Sequence, residues 1–191
     1  LGGRPVAGRR TAELARQAGF VPQDPSAALF AETVEREVAF TARNHGLPAS
    51  AVAATLADLG LQDLRERHPR DLSAGQRLLV ALAAVLVAGP GVLLLDEPTR
   101  GLDAPSKQRL AELLAARRAA GTAVVLATHD VELAARVADR VALLAEGEVV
   151  ASGPVDQVLS GSAVFSPQVS RVLGGPWLTV AEVREALEAT A

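Results

Sequence analysis

Two adjacent carboxylates stand at the end of an apolar run in this sequence. Residues 92–95 read Val-Leu-Leu-Leu and are followed at once by Asp96 and Glu97. Ligands of an open parallel sheet bind beyond the carboxyl ends of its strands. There an Asp can hold Mg²⁺ beside the phosphates of a nucleotide, and the neighbouring Glu can orient or activate an attacking water. The other interpretation is that both acids merely cap the turn that begins at Pro98.

A small polar loop lies one predicted helix upstream of this run. Residues 72–76 read Leu-Ser-Ala-Gly-Gln, and Ser73 is well placed as the N-cap of the helix that follows. Ala74 and Gly75 leave the backbone amides unobstructed, and a helix N-terminus of this kind favours an anionic oxygen. The loop is therefore a candidate phosphate-binding loop, with an ordinary helix cap as the alternative.

A histidine follows the next apolar run. Residues 122–130 are predicted to form a second buried strand that ends in Thr128, His129 and Asp130. The imidazole is then expected at the same edge of the sheet as Glu97. A lone histidine more often packs in the protein or lies on its surface, but at a strand end it can donate a hydrogen bond to a phosphate or a carboxylate.

Helices and strands alternate around these residues. The spacing of apolar residues predicts helices at 33–46, 50–61, 77–88, 106–121 and 131–138. The predicted strands lie at 19–23, 92–95 and 122–130, with a hairpin at 140–153 that turns at Glu146-Gly147 and a final helix that opens at Thr179. This alternation predicts an α/β fold with a mostly parallel sheet covered by helices.

Composition excludes several classes of protein. Of the 191 residues, 49% are apolar and 3% aromatic, which is enough for one globular domain with an aliphatic core. The 22 acidic and 19 basic residues are spread along the chain and leave no electrostatic footprint for nucleic acid. Cysteine is absent, so disulfides and thiolate metal sites are excluded. The first ten residues have no apolar core of the kind found in a signal peptide.

One uncharged run has the length of a membrane span. Residues 78–95 contain no charged side chain, and about 18 apolar residues are enough for a candidate transmembrane helix. Gly89-Pro90-Gly91 interrupts the run, because proline removes a helix hydrogen bond and glycine favours a turn. We therefore expect a buried helix, a turn and a buried strand here.

Five short motifs, taken in order, resemble the nucleotide-binding domain of ABC ATPases over nearly the whole chain. They are VPQ at 21–23, LSAGQR at 72–77, VLLLDEP at 92–98, GLD at 101–103 and THD at 128–130. The resemblance implies the P-loop NTPase (RecA-like) fold, with a mostly parallel sheet and a helical signature lobe. It also implies ATP and Mg²⁺ as cofactors.

The same resemblance implies catalytic and metal-binding roles at the strand ends. Asp96 matches the metal-side acid of the Walker B motif, Glu97 the catalytic glutamate and His129 the switch histidine. Gln23 matches the glutamine of the Q-loop, which serves catalysis and the magnesium site and connects that site to the helical lobe.

Nucleotide-binding roles are implied for two further segments. Residues 72–76 match the signature loop, so that Ser73, Ala74, Gly75 and Gln76 are expected to contact nucleotide, together with Asp103 of the D-loop. Ala74 stands where the family usually has glycine, and its methyl group is tolerable if the backbone there has an ordinary conformation.

Two regions resemble one subfamily, the energy-coupling factor ATPases that drive uptake of vitamins and of cobalt or nickel. These regions are residues 23–47, after the Q-loop, and the tail at 165–187. The resemblance implies a dimer with a second ABC ATPase domain, identical or different, and a transmembrane transporter subunit as partner. It also implies a cytoplasmic location, peripheral to the inner face of the cell membrane.

The resemblance also divides the chain. We expect a partial RecA-like core at 1–23 and 89–157, a helical signature lobe at 24–88 and a C-terminal extension at 158–191. The motif G-x-x-x-x-G-K-[ST], which cradles nucleotide phosphates, is not among the 191 residues, and the single lysine is Lys107. We therefore expect the chain to begin downstream of that motif, without the P-loop strand and helix, and to be inactive alone.

Two other functions remain open at this point. One is a non-enzymatic remnant that pairs with a complete partner and supplies its signature loop to the partner's ATP. The other is a soluble ABC ATPase that acts in DNA repair or on ribosomes. A coiled-coil insertion or a basic patch would support that function, and neither is present in the sequence.

The helical segment after Gln23 carries more apolar side chains than one helix face needs. They are Leu29, Phe30, Val34, Val38 and Phe40. By family resemblance, some of them are expected to line a groove that receives a short helix of a transmembrane partner. The alternative is that all five are buried in the lobe itself.

Overall fold

A computed structural model describes residues 1–160, 162, 164–174 and 177–189. These form two units, Leu1–Ala127 and Thr128–Ala191, which are taken in turn. Part of the predicted C-terminal extension lies outside the described residues. The predicted division into a core, a signature lobe and an extension stays a prediction.

A parallel sheet forms the centre of the first unit. Its described strands are β1 (Ala18–Val21), β2 (Val92–Asp96) and β3 (Ala123–Ala127), in the order β1-β2-β3. Both pairings are parallel, with Val21 opposite Leu95 and Leu95 opposite Leu126. The aliphatic residues of β2 suit a strand that has a neighbour on both sides. The predicted α/β fold with a mostly parallel sheet is confirmed.

Helices fill the chain around these strands. They are α1 (Thr11–Leu14), α2 (Val34–Asn44), α3 (Ala49–Asp58), α4 (Ala74–Leu86) and α5 (Ala104–Ala119). Short 3₁₀ helices lie at Pro25–Ala28, Gln62–Leu64 and Pro69–Asp71. The helices predicted at 33–46, 50–61, 77–88 and 106–121 are present, whereas α1 and the 3₁₀ helices were not anticipated from the apolar pattern.

Helix α4 is the most buried helix of this unit. Its buried side chains are Leu78, Leu79, Val80, Ala81, Leu82, Ala83 and Leu86. It packs against α2, α3, β1 and the 3₁₀ helix Pro25–Ala28. The helix ends before Gly89, which has a positive φ of 62°, and Pro90 and Gly91 then lead into β2. The uncharged run is thus a helix, a turn and a strand, as predicted. Within the described residues, no helix combines the length and apolar character needed to cross a membrane.

The second unit contains a hairpin and four short helices in its described part. The elements are α6 (Val131–Val137), β4 (Arg140–Ala145), β5 (Glu148–Pro154), α7 (Val155–Ser160), α8 (Gln168–Leu173) and α9 (Val180–Glu188). Glu146 and Gly147 connect the antiparallel strands with φ values of 51° and 83°, as a tight two-residue turn requires. Thr179 caps α9. The predicted turn and final helix are both confirmed.

A prediction concerns the contact between β1 and α4. A Cβ atom added at Gly19 would overlap Cγ1 of Val85, so Gly19→Ala should lower the free energy of unfolding by about 1–3 kcal/mol. Gly91→Ala is the matched control, because its nearest neighbour would be the Gln17 carbonyl oxygen at 3.8 Å. Urea unfolding of both variants measures the difference. Equal stability of the two variants would show that β1 and α4 are not in this contact.

Candidate functional site

The acidic pair lies at the carboxyl end of the central strand. Leu93 and Leu95 of β2 are buried, whereas Asp96 and Glu97 are both partly exposed beyond them. The Glu97 amide donates to the Ala127 carbonyl at 2.8 Å, which extends the β2–β3 ladder by one residue. The strand order therefore presents both carboxylates at the edge where parallel sheets bind ligands.

Glu97 has a backbone conformation that is unusual for a side-chain-bearing residue. Its φ is 46°, in the left-handed region, which glycine enters freely and glutamate does not. Such a conformation costs about 1–3 kcal/mol and persists where the surroundings enforce it. Here the surroundings are the bond to Ala127 and the turn in which the Arg100 amide donates to the Glu97 carbonyl at 3.1 Å. The regular course of the β2 backbone therefore ends at Glu97.

Residues 101–103, the predicted D-loop, follow this turn and end at the start of α5. Thr99 is buried, and its carbonyl accepts from the Leu102 amide at 3.1 Å. Asp103 is the N-cap of α5, and its Oδ1 accepts from the Ser106 amide at 2.9 Å. Hydrogen bonds from the Ser106 side chain and then its backbone lower the pKa of the Asp103 carboxyl, which is exposed. These hydrogen bonds favour the ionised form of Asp103.

The predicted signature loop begins helix α4 with a capping box. The Gln76 amide donates to Oγ of Ser73 at 3.3 Å, and the Ser73 amide donates to Oε1 of Gln76 at 2.9 Å. The predicted N-cap role of Ser73 is confirmed. Among the described contacts, the amides of Ala74 and Gly75 have no acceptor, as is normal for a first helical turn. Those two amides are suited to an anionic oxygen.

The signature loop and the D-loop touch within one chain. A Cβ atom added at Gly75 would lie 2.5 Å from Oγ and 3.1 Å from Cβ of Ser106, and 3.9 Å from Cδ2 of Leu102. Glycine at position 75 thus permits a close approach that any side chain would prevent. Ser106 contacts the signature loop on one side and the Asp103 carboxylate on the other, so it links the two motifs.

Gln23 follows β1 at the same edge of the sheet. Val21 lies opposite Leu95, so Gln23 and the acidic pair leave their strands in the same direction, and the Gln23 side chain is exposed. His129 is exposed two residues after β3, in the turn before α6, and belongs to the second unit. The first unit therefore holds Gln23, Asp96 and Glu97 at the carboxyl ends of adjacent strands, while the approach of His129 to them stays a prediction.

The donor set at this edge fits one hard cation beside a nucleotide. No group of three or more His, Cys, Asp or Glu side chains in the described residues is arranged to hold a metal ion. Mg²⁺ is commonly bound through one or two carboxylates together with substrate phosphates. The Asp96 carboxylate suits that arrangement and does not make a metal site by itself.

Two residues that the structure brings into prominence were not singled out in the sequence. Ser106 lies three residues after Asp103, which is the spacing of an N-cap partner and could have signalled its hydrogen bond. Glu37 is buried on α2 and binds the backbone before that helix. Its position three residues after Val34 places it beside the apolar face, which was the available signal.

Comparison with known proteins shows the family. Residues 1–100 match the family model of the ABC transporter, and the chain therefore belongs to the ABC transporter family. It is an ABC nucleotide-binding domain that resembles the energy-coupling factor ATPases, as the motifs predicted.

Individual relatives agree with this assignment. A Streptomyces coelicolor protein, provisionally named an ABC transporter ATP-binding protein, is 54% identical over 178 residues, which are 92% of this chain and 31% of that protein. The cobalt import ATP-binding protein CbiO of Rhodobacter capsulatus is 46% identical over 155 residues, 79% of this chain and 55% of that protein. The chain thus spans about a third to about half of the length of these curated relatives.

A solved structure has the same fold. The cbiO1 protein of Clostridium perfringens, part of the ABC transporter complex cbiONQ, matches with a TM-score of 0.76 and 31% identity. The match covers 97% of this chain and 73% of that one. This confirms the predicted P-loop NTPase fold.

A prediction follows from the Ser106–Asp103 contact. Because the Ser106 hydroxyl is the largest cause of the lowered pKa of Asp103, Ser106→Ala should raise that pKa towards the ordinary range of aspartate. A carboxyl group with a depressed pKa stabilises the fold above its unfolded-state pKa and loses this effect as pH falls through the folded-state pKa. The parent should therefore have a higher free energy of unfolding than Ser106→Ala above the unfolded-state pKa of Asp103. This difference should disappear as the pH falls through the folded-state pKa.

An NMR titration of the Asp103 carboxyl carbon, with thermal unfolding at each pH, checks this. Ser160→Ala is the control, because it removes a hydroxyl that binds the Asp156 carbonyl, far along the chain from Asp103. If Asp103 titrates at the same pH in the parent and in Ser106→Ala, the link between the two loops is wrong.

Proposed function

We propose that these residues form part of an ATP-binding and ATP-hydrolysing unit of an uptake transporter of the energy-coupling factor kind. Support comes from the family membership, from the 46% identity to the cobalt import protein CbiO and from the site at the end of β2. The transported substrate is left open, since contacts to it belong to a membrane partner.

The backbone of Glu97 is the observation that carries the hydrolytic role. An adjacent Asp and Glu at a strand end could serve only as caps, but a cap does not need a glutamate at a φ of 46°. Backbone strain of this kind concentrates at functional sites. A partly exposed carboxylate next to Asp96 at the end of β2 is suited to accept a proton from, and to orient, an attacking water.

The other residues at this edge have supporting roles in the proposal. Asp96 holds Mg²⁺ together with the nucleotide phosphates, and Gln23 follows the neighbouring strand and senses the same ion. Mg²⁺ supplies charge neutralisation of the phosphates. His129 donates to the terminal phosphate, and Asp103 holds the start of α5 beside the nucleotide.

The signature loop acts on ATP that a second ABC ATPase domain holds. The Ala74 and Gly75 amides are suited to phosphate oxygens, and the Ser73 hydroxyl keeps its proton available because its oxygen only accepts from Gln76. The P-loop motif G-x-x-x-x-G-K-[ST] does not occur in the 191 residues. By themselves these residues are accordingly proposed to be inactive.

A transmembrane subunit docks on the lobe at residues 24–88. Of the five apolar residues considered from the sequence, Val34 and Val38 are fully buried, and Leu29 is partly exposed. Phe30 is 66% exposed and Phe40 43%, so the alternative in which the lobe buries all five is wrong. We assign these two rings to contact with a short apolar helix of the partner. We also propose that the unit lies on the cytoplasmic face of the membrane.

Glu97→Gln tests the hydrolytic role in the complete ATPase that carries these residues. Glutamine keeps the size and hydrogen bonding of the side chain but cannot take a proton, so ATP turnover should fall by about 100-fold or more while ATP affinity changes little. Steady-state hydrolysis and nucleotide titration measure the two effects. Glu112→Gln, an exposed change of the same kind on α5, is the control. If turnover by Glu97→Gln stays within about twofold of the parent, the activation barrier has changed by only ~0.4 kcal/mol, and the hydrolytic role of Glu97 is contradicted.

Phe30→Asp tests the docking surface in the same protein. Since the ring is exposed, the variant should fold and keep basal ATP hydrolysis, yet it should no longer co-purify with the membrane subunit. Asn44→Asp places the same charge on an exposed position of α2 and should leave co-purification intact. Normal partner binding by Phe30→Asp would move the docking surface elsewhere.

A further inference from the structure

Glu37 is a buried carboxylate without a cationic partner in the described structure. The buried polar side chains among the described residues are Glu37, Thr99 and Ser170, and only the first of these is a carboxylate. The side chain of Glu37 is almost fully enclosed, with the residue 3% exposed. Burying a carboxylate is costly unless strong hydrogen bonds replace its water. The hydrogen bonds of Glu37 therefore indicate the structural role of its buried carboxylate.

Two consecutive backbone amides satisfy this carboxylate. Oε2 of Glu37 accepts from the Phe30 amide at 2.8 Å and from the Ala31 amide at 2.7 Å. Successive amides of this kind form an anion-binding concavity, which is filled here by the protein's own side chain. Hydrogen bonds to an ionised acceptor are roughly twice as strong as neutral ones.

The segment that Glu37 holds has no regular structure of its own. Residues 29–32 lie between the 3₁₀ helix Pro25–Ala28 and the N-cap of α2, Thr33. Neither the Phe30 nor the Ala31 amide belongs to a helix or a strand ladder. Glu37 thus supplies the hydrogen bonds that secondary structure supplies elsewhere.

The held segment carries one half of an exposed aromatic pair. The rings of Phe30 and Phe40 meet edge to face, with centroids 4.8 Å apart and an interplanar angle of 87°. Phe40 lies on α2 one turn after Glu37. Phe30 precedes the helix and is attached to it by the hydrogen bond from its amide to the Glu37 carboxylate. Both rings therefore have fixed positions relative to one helix, although both face solvent.

We propose that Glu37 is a positioning residue for partner docking: its buried carboxylate fixes the Phe30–Phe40 pair in the arrangement that receives the apolar helix of the transmembrane subunit. The inference rests on the docking surface proposed above. Because the rings are ordered before the partner arrives, association does not carry the cost of immobilising them. Glu37 acts through the backbone of Phe30 and does not touch the partner.

Three variants in the complete ATPase separate this role from general stability. Glu37→Leu has a similar size but no acceptor, and Glu37→Gln keeps an uncharged acceptor. Val52→Ala destabilises α3, which is a different element from those that carry the pair, at a position that is 4% exposed. The readouts are hydrogen exchange at individual amides, affinity for the purified membrane subunit and basal ATP hydrolysis.

We expect Glu37→Leu to speed exchange of the Phe30 and Ala31 amides by about tenfold or more and to weaken partner binding by about tenfold, ~1.4 kcal/mol. Exchange in the interior of α3 and basal hydrolysis should stay near the parent values. Glu37→Gln should lie between the parent and Glu37→Leu in both exchange and affinity. Val52→Ala should speed exchange in α3 and bind the partner normally.

Faster exchange at the two amides with unchanged affinity would overturn the positioning role, as would lost affinity with unchanged exchange. If Glu37→Leu does not fold, the test uses Glu37→Gln, which keeps the shape of the side chain and an acceptor. Exchange and affinity equal to those of the parent in Glu37→Gln would then overturn the positioning role. Phe30→Asp distinguishes the two proposals. If it binds the partner normally, the docking surface itself is wrong, whatever the Glu37 variants show.

Discussion

The burial of α4 is the constraint on which the first unit depends. This helix packs against the sheet through β1 and also against α2 and α3, and its first residues belong to the predicted signature loop. Each fully buried leucine or valine contributes about 1.5–3 kcal/mol relative to exposure, and Val80 and Leu82 are fully enclosed. Because interiors are close-packed, a shift of α4 would move the predicted signature loop together with α2 and α3.

A second constraint fixes the positions of the acidic residues at the sheet edge. β2 has a neighbour on each side, so the positions of Asp96 and Glu97 follow from two ladders rather than from a loop. The Ala127 carbonyl holds the strained Glu97 backbone, and the D-loop after it reaches Gly75 through Ser106. The acidic pair, the D-loop and the signature loop are thus connected within one unit by direct contacts.

Much of this arrangement follows from local sequence rules. The apolar residues before Asp96 predict β2, and the Ser73–Gln76 spacing is that of a capping box. Tertiary contacts decide the remainder. Apolar periodicity places Glu37 beside a buried face but does not reveal the two amides that it binds. No sequence pattern predicts the positive φ of Glu97 or the close approach of Ser106 to Gly75. The sequence also does not show that Phe30 and Phe40 are exposed while Val34 and Val38 are buried, because this depends on how the helices pack.

The central claim is that the signature loop of this chain completes a nucleotide site on another ATPase domain. The most direct measurement is a structure of the complete Glu97→Gln protein with ATP and Mg²⁺. The account predicts that Oγ of Ser73 and the Gly75 amide lie about 2.7–3.2 Å from oxygens of the terminal phosphate, on an ATP whose P-loop belongs to the other domain. An ATP-bound structure in which the signature loop faces solvent, or contacts the nucleotide of its own domain, would contradict it.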